Sequence, residues 1–313
     1  MFPLEARTLL PLVAGLAAAV LMIPTSGLDF TPVLRIPAGL VAAWILMQAL
    51  LPKARSEREL RLLKWITLLI YFALAVNCGF ILFYCGQAWA AFPLRDEMFL
   101  AADRLLGFDW VLAGPWMNQH AAVTSFFLLV YAVFPAFVVA PLFILPLLGR
   151  MGEAEFYVRA SMIAELVFAI ASCVAPAVSA ATALGAQAQA NSTLALSAFS
   201  GPIVESLRSG ALTTIDAFEG IGTFPSYHTA GSVLAVIALW GVPWLRGFAV
   251  ALAAAEIASA VWVGGHYLID LPAGALMACA AAYAAGWRWA PEAAETLAEP
   301  APERDSTLAL RKA

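Results

Sequence analysis

The chain has three histidines in 313 residues: His120, His228 and His266. Asp270 follows His266 by four positions. On a helix that spacing stacks two side chains on one face, about 6 Å apart along the axis. A carboxylate placed there accepts the imidazole N–H, selects the tautomer and raises the basicity of the other ring nitrogen. An oriented imidazole is what a nucleophile or a general base requires. His228 lies about 38 residues earlier and is predicted on the same side of a membrane. Two imidazoles whose surroundings push their pKa values apart can divide the work, one attacking while the other donates a proton. His120, following Asn118 and Gln119, reads as a structural residue at a helix start. Two histidines and one aspartate that each have catalytic work leave too few ligands for a metal. No metal and no cofactor are expected.

The elements that position these residues are spanning helices. Hydrophobic residues make up 63% of the chain and charged residues 12%, with a mean hydropathy of +0.85. Soluble domains carry about 25% charged residues, so this chain could not cover itself in water. It reads as an all-α polytopic bundle. A span needs about 20 apolar residues, and eight candidates emerge: 8–24, 33–51, 62–88, 121–148, 160–183, 229–245, 247–265 and 267–287. The first is read as an uncleaved span, because Leu21-Met22-Ile23 continue beyond the small residues Ala17 to Ala19. Pro135, Pro141 and Pro146 predict kinks in the fourth. Small residues at four-residue spacing (Ala251, Ala255, Ser259; Gly274, Ala278, Ala282) predict close helix approach in the last two. Cys78, Cys85, Cys173 and Cys279 sit in apolar runs without a C-x-x-C spacing and read as packing residues. No basic stretch interleaves with aromatics, so nucleic acid is not an expected partner.

Lysine and arginine set the orientation. Lys53, Arg55, Arg58, Arg61 and Lys64 crowd one connection, Arg150 and Arg159 another, and Arg246 a third. The positive-inside rule then puts both termini in the cytoplasm. Two long segments face outward. The first, 89–120, reads as one or two short amphipathic helices at the interface. Its Arg95, Asp96, Asp103 and Arg104 read as a solvated face, Arg104 also suiting a lipid headgroup. The second, 184–228, ends on His228, and Arg208 is its only basic residue. Glu165 and Glu256 lie within spans, where ionisable groups are costly and face the bundle interior.

Phe224-Pro225-Ser226-Tyr227-His228 followed by Gly265-His266-Tyr267-Leu268-Ile269-Asp270 resembles the type 2 phosphatidic acid phosphatase superfamily. It is more narrowly similar to the branch of inositol phosphorylceramide and sphingomyelin synthases, whose second motif reads His-Tyr-x-x-Asp. The stretch from Pro93-Leu94-Arg95-Asp96 through Ala102-Asp103-Arg104-Leu105-Leu106-Gly107-Phe108-Asp109-Trp110 is similar to bacterial members of that branch. The resemblance implies a six-helix core over 62–290, preceded by two N-terminal helices and a basic loop (1–61) and followed by a disordered cytoplasmic tail (291–313). It also implies a bacterial inner membrane with the site on the periplasmic side. His266 would attack phosphorus to give a phosphohistidine, with Asp270 orienting it. His228 would protonate the leaving oxygen and then activate water or an acceptor hydroxyl. Ser226, Tyr227 and the backbone around them would hold phosphate oxygens. The expected partners are a lipid phosphate or phospholipid and a lipid-alcohol acceptor.

Phosphatases of the superfamily carry Lys…Arg-Pro before the first histidine, and Ser-Arg where this chain has Ser259-Ala260. Losing both removes fixed cations for developing phosphoryl charge, and the lost arginine tilts the reading toward headgroup transfer. Arg208 is the candidate replacement, reading equally as an ordinary surface charge. Ser226 suits a helix N-cap as well as a phosphate ligand. The rival functions are a proton-coupled lipid transporter or flippase using Glu165 and Glu256, and a non-catalytic membrane scaffold.

Overall fold

The structure, a computed structural model, describes residues 6–89, 91–185 and 200–287. Gln187, Gln189, Asn191 and Ser192 of the second outward loop, Arg288, and the tail 291–313 lie outside the described residues. Among those described, the fold is an all-α bundle whose only extended pairing is an isolated bridge between Asp29 and Thr214.

Among the described residues, six helices are long and apolar enough to cross a membrane. They include α1 (Ala6–Ser26), α2 (Arg35–Leu50) and α3 (Glu57–Trp89). Two short helices follow, α4 (Asp96–Leu105) and α5 (Trp110–Gln119), as the amphipathic pattern of 89–120 led one to expect. The fourth predicted span divides into α6 (Ala121–Val139) and α7 (Pro141–Leu147). Pro141 has no N–H to continue the ladder, so it starts a new helix at a first-turn position that tolerates proline. Next come α8 (Met151–Val174), the short α9 (Ala180–Leu184) and α10 (Ser200–Arg208). The last three are α11 (Tyr227–Leu239), α12 (Arg246–Trp262) and α13 (Asp270–Ala284). Helices thus form at all eight predicted places. Those at the sixth and eighth, α11 with 13 residues and α13 with 15, fall short of a full crossing.

The bundle has two chemically distinct ends. At one, loops and short helices lace together: Asp29 N donates to Thr213 O (2.7 Å) and Arg95 N to Pro176 O (2.8 Å). Ala180 N donates to Gly265 O (3.2 Å) at the same end. At the other, Arg150 donates to the Gly241 carbonyl and Arg159 Nε to Ala285 O (3.0 Å), while Thr8 meets Glu155 (2.8 Å). The motif segments 224–228 and 265–270 both belong to the first end. α3 and α8 form the centre, with Leu74, Tyr157, Val158 and Ala164 fully buried.

Burial corrects part of the small-residue reading. Gly274, Ala278 and Ala282 of α13 are all buried, as expected. On α12 the inward face instead carries Ala249, Ala253, Glu256 and Ser259, and Ala251 is exposed.

The start of α11 is where the fold prepares the site. Ser226 is its N-cap, with Oγ accepting from Thr229 N (3.2 Å). The Ser226 N–H crosses to the carbonyl of Asp270 (3.1 Å). Gly274, one turn into α13, lies so close to the Ser226 carbonyl that a Cβ there would collide with it. The absent side chain is what lets α13 dock against the α11 N-terminus. Gly274→Val is therefore expected to cost about 1–3 kcal/mol through overpacking, read as a lowered Tm in detergent. Ser226→Ala should cost about 1 kcal/mol and Ser226→Gly only a few tenths, the signature of a lost cap. A phosphate ligand would instead lose activity equally with either substitution.

Candidate active site

His266 and Asp270 meet, but not as neighbours on one helix. Residues 263–269 form a non-helical link between α12 and α13, and Asp270 is the first residue of α13. The preceding helix stops at Trp262, and within the link Gly265 takes φ +70°, a region open to glycine at little cost. The contact survives by another route. Asp270 Oδ2 lies 3.3 Å from His266 Nδ1 and accepts from Tyr267 N at 2.9 Å. One carboxylate oxygen thus holds both the imidazole and the backbone beside it. Both side chains are buried, Asp270 completely and His266 to 4% exposure.

His228, on the first turn of α11, presents its ring to His266 with centroids 5.5 Å apart and planes at 70°. Tyr131 and Phe134 of α6 pack against that ring at 4.3 and 4.1 Å, fixing its plane. Both histidines line a cavity of about 600 Å³. Its walls come from Phe72 and Phe80 on α3, Phe134 and Pro135 on α6, and Phe168 on α8. Tyr227, Thr223 and Glu165 supply polar groups to it. No lysine or arginine among the described residues lines it. Thr223 Oγ1 is buried without a hydrogen-bond partner. Among the described residues, no three His, Cys, Asp or Glu side chains are grouped to hold a metal ion.

The remaining predicted site residues divide. Tyr227 lines the cavity. Ser226 is fully buried and occupied as a cap. Arg208 is not brought to the histidines. Its guanidinium donates to Phe92 O (2.6 Å) and borders a separate surface pocket beside Glu205 and Pro202. His120 caps the turn between α5 and α6, its Nδ1 2.7 Å from Trp116 O.

The larger correction concerns α4. Asp96 and Asp103 are not a solvated face: they are 6% and 0% exposed. Asp103 accepts from Leu268 N (2.9 Å), Ile269 N (3.0 Å) and Trp110 Nε1 (2.8 Å). Asp96 accepts from the Tyr267 hydroxyl (2.7 Å) and Val178 N (2.9 Å). Burial pushes the Asp96 carboxyl above its ordinary value, opposed by those two donors. A signal was available in the sequence. Asp96, Phe99, Leu100 and Asp103 fall at i, i+3, i+4 and i+7, the buried stripe of the helix. Both carboxylates are in phase with its apolar residues, while Arg104 points outward.

A family model for the PAP2 superfamily matches residues 97–284, from the second residue of α4 to the last of α13. No curated protein and no solved structure matches the chain. The match spans well over half of the 313 residues and takes in both histidine motifs, most of α4, all of α5 and the central helix α8. The chain belongs to the PAP2 superfamily.

Proposed function

We propose that this protein cleaves a phosphoester of a membrane lipid through a phosphohistidine on His266. The observation that carries the reading is the pair of imidazoles 5.5 Å apart at an apolar-walled cavity. Superfamily membership supports phosphatase or phosphotransferase chemistry on phosphoesters. With Nδ1 engaged by Asp270, His266 Nε2 is the free nucleophile. Its lone pair forms the N–P bond as the bond to the leaving oxygen breaks, and His228 gives that oxygen a proton. His228 then takes a proton from water or an alcohol, whose oxygen attacks phosphorus and releases His266.

The lipid reading rests on the walls. Phe72, Phe80 and Phe168 suit acyl chains, and an apolar cavity with a few polar groups at one end suits an amphiphile. Phosphate oxygens would be held by the N–H groups of Tyr227 and His228, which precede the first bonds of α11, and by the unpaired Thr223 hydroxyl. Among the described residues the cavity lining holds no lysine or arginine, giving the phosphate fewer fixed charges than a phosphatase site needs, which favours a diester and headgroup transfer. Arg150 and Arg159, bonded to backbone at the opposite end, support cytoplasmic termini and an extracytoplasmic site by the positive-inside rule.

The test uses purified full-length protein in detergent, a panel of phosphatidic acid and phospholipids, and a lipid alcohol as acceptor, with and without EDTA. EDTA-insensitive phosphate release or headgroup transfer is expected, falling by at least about a thousandfold in His266→Ala, the scale on which loss of a nucleophile registers. Lipid movement across liposomes that persists in His266→Ala would instead favour a transporter.

A further inference from the structure

The conspicuous stretch at 93–110 has no part in the chemistry above, yet α4 reaches the only three residues between His266 and Asp270. Its Asp103 takes the N–H groups of Leu268 and Ile269, and its Asp96 takes the Tyr267 hydroxyl. We propose that Asp96 and Asp103 are positioning residues, which set the attack geometry of His266 by gripping the turn that carries it.

The physical case begins with α13. Its first N–H groups need acceptors, and its N-cap residue, Ile269, has no side chain able to supply one. Asp103, on another helix, instead takes the N–H groups of that residue and of Leu268 before it, placing a carboxylate at the positive end of the α13 dipole. Asp103 is itself tied down by the Trp110 indole, which is 2% exposed. Between the two aspartates, Phe99 packs on Phe224 at 4.7 Å and on Tyr267 at 5.5 Å. One face of α4 therefore touches both histidine motifs. The N–H of Tyr267 goes to Asp270, and that of Asp270 to the Tyr267 carbonyl (3.1 Å). The amides of residues 267 to 270 are thus all engaged, and two of the four acceptors belong to α4.

This role rests on His266 being the nucleophile, so the two are tested side by side. Full-length wild type, His266→Ala and Asp103→Asn are purified in detergent and assayed for kcat, KM and Tm on dioctanoyl phospholipids with a lipid alcohol acceptor and on dioctanoyl phosphatidic acid. Asp103→Asn keeps the volume but turns an amide N–H toward the backbone donors. Misplacing a reacting atom by about 1 Å costs on the order of a hundredfold, so a kcat loss of about tenfold or more is expected, with KM and Tm close to wild type. A wild-type kcat, or a loss that only mirrors the unfolded fraction, overturns the proposal. If Asp103→Asn does not fold, Tyr267→Phe decides: it keeps the ring and releases Asp96. Lowered kcat at constant KM supports the role, and unchanged kcat overturns it. Turnover surviving in His266→Ala overturns the site and this proposal together. An inactive His266→Ala beside an unimpaired Asp103→Asn overturns the positioning role alone.

Discussion

One residue, Asp270, ties the site together. Its carboxylate holds the imidazole of His266 and the amide of Tyr267, while its carbonyl receives the N–H of Ser226. The first two contacts organise the second histidine motif, and the third fastens that motif to the first. Segments some forty residues apart are brought into one geometry through the polar atoms of a single side chain and its own peptide group. In a buried setting this economy matters. Each unpaired donor or acceptor would cost about 1–3 kcal/mol. Asp270 Oδ1 is left without a partner, so the arrangement is not fully satisfied even here.

The apolar bundle and the polar site make opposite demands. Apolar helices suit contact with lipid chains, but phosphorus chemistry needs charge and donors. The fold separates the two along its long axis. Polar loops, capping side chains and the short helices α4, α5, α9 and α10 gather at the histidine end, while arginines bond to backbone carbonyls at the other. The cavity joins the regions, walled by phenylalanines of α3, α6 and α8, with Glu165 of α8 and the polar groups of α11 and the 263–269 link facing into it.

Much of this was legible from sequence, and the misses share a cause. Long apolar runs reveal spans because each needs only its own residues to be recognised. The histidines and Asp270 stood out because such groups are scarce in the chain. The reading failed where the deciding partner lay far off in sequence. Asp96 and Asp103 looked solvated because α4 is amphipathic, and nothing local says that its acceptors meet amides more than 160 residues away. Arg208 drew attention as a lone cation in its loop, but its partner is a backbone carbonyl 116 residues earlier. Helical spacing gave the right His–Asp contact for the wrong reason. The helix ends at Trp262, a glycine at positive φ redirects the chain, and the aspartate reaches back across a turn.

The bond joining the two motifs runs from main chain to main chain, from Ser226 N to Asp270 O. Every amino acid except proline carries that N–H, and every one carries that carbonyl. Side chains around the pair can therefore drift without parting the two segments. A changed cavity lining could therefore alter what the site accepts and leave the join between its two histidine segments in place. The scaffold outlasts the specificity built upon it.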